Sequence, residues 1–333
     1  MKDQLIKLFF GSLLISCLGA CLKWGKMPYI EKITPTVDIS AQLSTPTTWL
    51  YSTKIPNKLA ATATNPLVST SMSLSTAGVK LRSSPSAAVI ANGCTESGKI
   101  IVDEYRSTEL NLPLDYRIYL PPCYGEQPTQ RYPVLYIIHG QSYSDDQWVR
   151  LGMTKIADQL ILSHQIPPLL IVMPRDRIWL QPPQDQFGDV LVEQLIPYID
   201  EHYRTMADRR YRAIGGLSRG AGWAVHLGLS HWELFSKIGA HSLAVFASDI
   251  QIIPKWLDQI PINSRPIIFL DIGRNDRPEM LKWTYWFEQL LTEKHYPHEW
   301  YYYDGFHDEA YWSAHVEQYL RWYAQNWQAS ETP

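Results

Sequence analysis

Between residues 99 and 326, short apolar runs alternate with stretches whose apolar residues recur at helical spacing, and this alternation limits the fold more than any other feature. "KIIVDEY" and "LDYRIYLP" read as two strands of an antiparallel hairpin. "YPVLYIIHG", "PPLLIVMP", "YRAIGG", "FSKIGAHS", "RPIIFLDIG" and "HEWYYYDG" read as six more strands. Between and after them, helical patterns cover Thr154 to His164, "GDVLVEQLIPYIDEHY", "AGWAVHLGLS", Ile250 to Asp258, Met280 to Glu293, and Asp308 to Asn326. Strands alternating with helices predict an α/β fold: a mostly parallel central sheet with helices on both faces, entered through the antiparallel hairpin. Residues 95–328 suffice for one such domain, and a hydrophobic content of 45% is ample for its core. In folds of this kind, functional groups sit on loops at the carboxyl ends of the strands.

The residues ahead of that domain read differently. "MKDQLIKLFFGSLLISCLGAC" sets Lys2 and Lys7 before an apolar run of about 13 residues, too short to span a bilayer, so residues 1–21 are expected to be an export signal. Leu18-Gly19-Ala20-Cys21 resembles the bacterial lipoprotein box, making Cys21 a candidate for lipidation and for a membrane anchor. Leu14-Ile15-Ser16-Cys17 fits the same box, and an uncleaved anchor or a signal without lipid stays open. All these readings place the rest of the chain outside the cytoplasm, either anchored to a membrane or released. Residues 22–94 shift to Ser, Thr, Ala and Pro with no sustained period, the composition of a disordered tether.

Outside the signal there are two cysteines, Cys94 before the first hairpin strand and Cys123 after the second. The ends of an antiparallel hairpin lie side by side, and export favours oxidation, so a Cys94–Cys123 disulfide competes with two free buried thiols.

The chemistry centres on Gly216-Leu217-Ser218-Arg219-Gly220. This Gly-x-Ser-x-Gly stands between a strand and a helix, the context of a nucleophile elbow, so Ser218 is the candidate nucleophile. A serine hydroxyl needs a base, and among ten histidines His307 is the one in a loop after the last strand and before the final helix. The orienting carboxylate should lie between the two; Asp276, in the loop after "RPIIFLDIG", is preferred to Asp271, which falls within or at the edge of that strand. The backbone amides of Gln141 and Arg219 are the candidate oxyanion donors. The Arg219 side chain reads as a solvated surface charge with no chemical role.

Taken with "YRIYLPPCY", "VEQLIPYIDEHYRT", "DIGRND" and "GFHDEAYW", these blocks resemble an esterase family of α/β-hydrolases. That family includes feruloyl esterases, enterochelin esterases and S-formylglutathione hydrolases, with mycolyltransferases as relations. The resemblance implies a triad of Ser218, Asp276 and His307, an oxyanion loop after His139-Gly140 with Gly140 beside the substrate, and Trp148 lining the cleft. The chain departs from the family at Cys123, where a glycine is usual, which favours the disulfide.

Composition and motifs narrow the field of functions. A net charge of -3 and a pI near 6.4 give no basic surface for nucleic acid. Metal and nucleotide motifs are absent from the sequence, and no cofactor is expected. A small-molecule or polysaccharide-linked ester is the expected partner. Three functions stand: an exported serine carboxylesterase, an acyltransferase of the same fold using a sugar or lipid hydroxyl, and a non-catalytic surface binding module. Trp148, Trp179, Trp223 and Trp312 are candidates for the cleft or for packing.

Overall fold

The computed structural model describes residues 93–327. The signal of residues 1–21 with Cys17 and Cys21, the tether up to residue 92, and Gln328 lie outside the described residues.

Eight strands form one sheet: β1 (Lys99–Tyr105), β2 (Leu114–Leu120), β3 (Val134–Ile138), β4 (Leu170–Pro174), β5 (Arg212–Leu217), β6 (Lys237–His241), β7 (Ile267–Gly273) and β8 (His298–Tyr303). Their order is β1-β2-β4-β3-β5-β6-β7-β8. β1 and β2 are antiparallel, as are β2 and β4, and every later pairing is parallel. The hairpin register sets Lys99 opposite Leu120, which brings the flanking cysteines together. Cys94 and Cys123 are joined as a disulfide, with their Cα atoms 5.9 Å apart.

The helices are α1 (Gln147–Arg150), α2 (Met153–Leu162), α3 (Phe187–Val190), α4 (Ile196–His202), α5 (Arg219–Ser230), α6 (Ile253–Gln259), α7 (Pro278–Glu293) and α8 (Glu309–Ala324). The single helix expected over "GDVLVEQLIPYIDEHY" is instead α3 and α4 joined by a π-helical turn, Leu191–Leu195. Pro197 is the cause: it has no N–H to donate back to residue 193, and the backbone widens to accommodate its ring.

All five residues of β3 are buried, as a central parallel strand requires. Its alternate residues feed two cores, one on each face of the sheet. Val134, Tyr136 and Ile138 pack with residues of α3 to α7, whereas Leu135 and Ile137 pack with α1, α2 and α8. The chain runs from β3 outward to β4 and then returns to place β5 on the other side of β3. This reversal opens a crevice at the carboxyl ends of the strands, where the loops after β3, β5, β6, β7 and β8 gather.

Candidate active site

Ser218 stands alone between β5 and α5, with φ 55° and ψ -119°. Such angles cost a non-glycine residue about 1–3 kcal/mol, and the surroundings enforce them. A Cβ on Gly216 would meet the Gly220 carbonyl carbon at 2.3 Å, and one on Gly220 would meet the Ile138 carbonyl oxygen at 2.3 Å. Only glycines at these two places let the chain double back so sharply. The turn is pinned by the Ser218 amide, which donates to the His241 carbonyl at 2.8 Å. α5 begins at once, so its positive end faces the serine.

Two loops deliver side chains to that serine. His307 Nε2 lies 2.9 Å from Ser218 Oγ, and His307 Nδ1 lies 2.8 Å from Asp276 Oδ1. A carboxylate only accepts, so Nδ1 carries the proton and Nε2 keeps a lone pair for the serine hydroxyl. Asp276 is buried in the turn after β7, where its amide donates to the Gly273 carbonyl and its Oδ1 also accepts the Arg277 amide at 2.6 Å. Trp312 packs edge-on against the imidazole, with ring centres 5.0 Å apart. Asp308 caps α8 by accepting the Tyr311 amide, which fixes the chain just after His307.

Asp271 belongs to a different group. It is fully buried on β7, where its Oδ1 lies 2.6 Å from His241 Nδ1 and its Oδ2 accepts from the Tyr311 and Tyr319 hydroxyls. The far side of the His241 ring meets the Tyr323 hydroxyl at 3.1 Å, so this second histidine–aspartate pair points into the core. Burial and the neighbouring Asp271 charge push the Tyr311 and Tyr319 hydroxyls well above the usual phenol range, keeping both as donors.

A cavity of about 450 Å³ opens over the serine, bordered by Gly140, Gln141, Tyr143, Arg219, Arg277 and His307 among others. The Gly140 amide donates to Gln147 Oε1 at 2.8 Å, while the Gln147 Nε2 group donates to Glu309, so the loop after β3 is held from beneath. A Cβ on Gly140 would meet Leu217 Cδ1 at 2.7 Å, so a side chain there would require the buried Leu217 to shift. His139 Nε2 accepts the Asp176 amide at 3.0 Å and its Nδ1 lies 2.8 Å from the Gly140 carbonyl, which makes the ring neutral with its proton on Nδ1. Burial lowers its pKa, consistent with that state.

Two expectations need correction. Trp148 does not line the cleft: it is 1% exposed on α1, its Nε1 donates to the Ile138 carbonyl at 3.0 Å, and its ring packs into the core. A large apolar ring one residue into a helix that covers the sheet gains more from burial than from solvent. The Arg219 side chain is no surface charge either: it is buried and paired with Asp176 and Asp185. Trp223 is likewise buried, Trp312 borders the cavity, and Trp179 is exposed at the surface. Glu96, Cys123 and Glu126 bring possible metal-ligand atoms within 4.8 Å of one another, but the Cys123 sulfur is committed to the disulfide. Gln147, His241, Asp176 and Asp185 carry no local motif that marks them from sequence.

Comparison with known proteins gives this arrangement a family. The family model described as "Putative esterase" matches residues 107–323, more than half of the chain. A Xylanibacter ruminicola protein named endo-1,4-beta-xylanase/feruloyl esterase is 30% identical over 173 residues, covering 49% of this chain and 23% of that protein. The chain spans less than a third of the curated relatives it matches. A solved ferulic acid esterase superposes with a TM-score of 0.62 at 25% identity, covering 69% of this chain and 99% of the other. The ferulic acid esterase of Anaeromyces mucronatus, solved with ferulic acid, shares the fold with a TM-score of 0.56 at 20% identity, covering 71% and 93%. Among the described residues, no helix is long and apolar enough to cross a membrane. The chain belongs to the "Putative esterase" family and folds as an α/β-hydrolase.

Proposed function

We propose that the domain is an exported serine carboxylesterase that works through an acyl-enzyme on Ser218. The observation that carries this is the unbroken hydrogen-bonded line from Asp276 through His307 to Ser218 Oγ, opening on a cavity. In the first step Ser218 Oγ attacks the ester carbonyl while His307 Nε2 takes the hydroxyl proton. Asp276 holds the Nδ1 proton and offsets the charge of the imidazolium that forms. The oxyanion is received by the amides of Arg219 and Gln141; the Gly140 amide is already committed to Gln147, which leaves its neighbour as the donor of that loop. The tetrahedral intermediate collapses as His307 returns the proton to the leaving alcohol, and water attacks the acyl-enzyme by the same route. No metal or cofactor enters any of these steps.

A small-molecule or polysaccharide-linked ester is the proposed substrate, in keeping with relatives named for feruloyl esters. Export, with lipid attachment at Cys21 as one route to the membrane, is supported by the sequence of residues 1–21. The test is hydrolysis of p-nitrophenyl esters from acetate to octanoate and of a feruloyl ester by the chain from residue 22 onward, with Ser218→Ala in parallel. Turnover abolished in the variant supports the proposal. A folded wild-type chain that hydrolyses none of them refutes it, and turnover seen only when a sugar or lipid hydroxyl is added would establish an acyltransferase instead.

A further inference from the structure

The residue after the nucleophile contributes more than its amide. The Arg219 guanidinium is buried, and three acceptors surround it: Asp176 Oδ2 at 2.6 Å from Nε, the Leu180 carbonyl at 2.8 Å from Nη2, and Asp185 Oδ2 at 3.1 Å from Nη2. Its plane also lies over the Phe246 ring at 5.0 Å. Such a charge gains nothing from being exposed and everything from staying where it is, because leaving would strand two carboxylates in the interior. Asp185 already has its pKa raised by burial and by the charge of Asp176.

Asp176 is the informative partner because it faces both halves of the oxyanion site. Its side chain binds Arg219 and the Trp223 Nε1 at 2.9 Å, while its own amide donates to His139 Nε2. His139 in turn lies against the Gly140 carbonyl, one residue before Gln141. One aspartate at the end of β4 is thus in contact with the side chain of Arg219 and with the histidine that begins the loop of Gln141. Neither the arginine nor the aspartate side chain is needed for the chain of proton transfer.

Resting on the esterase proposal above, we infer that Arg219, Asp176 and His139 form a positioning relay that fixes the spacing of the two oxyanion amides. Arg219 and Asp176 are positioning residues here, acting through backbone. Loss of one well-placed oxyanion donor lowers kcat by about 10²–10³, and an error of about 1 Å in placement by about 10². Arg219→Met is therefore expected to lower kcat about 100-fold, and Asp176→Asn, which keeps the amide to His139 and weakens the tie to Arg219, at least tenfold. KM should stay within threefold in both, because the relay acts on charge that develops after binding.

The experiment is steady-state hydrolysis of p-nitrophenyl acetate by wild type, Arg219→Met, Arg219→Lys and Asp176→Asn. Each rate is divided by the concentration of active sites titrated with a fluorophosphonate that labels Ser218. A purely structural role would lower the number of active sites and leave kcat per site unchanged. Lysine keeps the charge but cannot fork between two carboxylates, so Arg219→Lys should fall between Met and wild type. If Arg219→Met does not fold, Asp176→Asn decides. A fall of less than fivefold per titrated site in the folded variants overturns the inference, and a larger fall with KM held supports it. A wild-type chain that neither hydrolyses the ester nor labels at Ser218 fails at the esterase proposal, before the variants are read.

Discussion

Replacing Asp276 by Asn distinguishes it from Asp271, the other carboxylate weighed as the partner of His307. Asp276 Oδ1 lies 2.8 Å from His307 Nδ1, while Asp271 Oδ1 lies 2.6 Å from His241 Nδ1. When His307 takes the serine proton it becomes a cation, and the charge centres of the resulting pair stand roughly 4 Å apart. At an effective dielectric of about 20 that is worth about 4 kcal/mol. Each 1.36 kcal/mol is tenfold in rate, so losing the negative charge should lower kcat about 10³-fold. An asparagine amide can also rotate its NH₂ toward the ring and favour the wrong tautomer, adding up to about tenfold more. Steady-state hydrolysis of p-nitrophenyl acetate by Asp276→Asn and Asp271→Asn, each normalised to folded protein, measures the difference. Asp271→Asn should retain kcat within tenfold and lose about 2–4 kcal/mol of stability as its buried network is cut. A folded Asp276→Asn that keeps a tenth of wild-type kcat, beside an inactive folded Asp271→Asn, would refute the assignment.

Three further outcomes follow from the packing. Replacing Cys94 and Cys123 together by Ser opens a covalent loop with a sequence separation of 29, and chain entropy puts the loss at about 3.5 kcal/mol, read as a lower urea midpoint with activity at 25 °C retained. Gly239→Ala places a Cβ 1.7 Å from the Tyr323 hydroxyl, forcing that buried ring off His241; about 2–4 kcal/mol should be lost in equilibrium unfolding, and a loss under 0.5 would contradict the packing. Burial depresses the pKa of His139 in the folded chain, so between that value and about 6.5 the unfolded chain binds more protons. Its contribution is present in full above about pH 6.5 and is lost as pH falls below that. Wild type should therefore lose more stability between pH 7.5 and 5 than His139→Gln does, and equal losses would argue against a neutral His139.

How legible the molecule was depends on which force placed each residue. Apolar periodicity reports burial of apolar surface, and it located every strand of the sheet: the expected "KIIVDEY" is β1 itself, and "RPIIFLDIG" contains β7. The elbow was legible because its steric demand is local, two glycines flanking one serine within five residues. Ser218, Asp276 and His307 are brought together as expected, since each lies just beyond a strand's carboxyl end. Charge burial is another matter, for it is decided by partners far along the chain. Arg219 reads as surface because its acceptors sit 34 to 43 residues earlier, outside any local window. Trp148 was misplaced for the opposite reason: a tryptophan suits a cleft and a core equally, and only the approach of α1 to β3 and α8 decides between them. His241 and Gln147 carry no motif, and their roles appear only when the loops are assembled.

The Cys94–Cys123 bond also determines how the domain bears load. β1 is an edge strand, bonded on one side to β2 alone, so a pull entering at its start would open it one hydrogen-bonded pair at a time. The disulfide sits ahead of that strand and carries tension across to the end of β2. β2 is paired on both sides, to β1 and to β4, and would have to shear several bonds at once to yield. A pull applied to the chain at Gly93 would thus be diverted past the weakest seam of the sheet and away from the loops that carry Ser218 and His307.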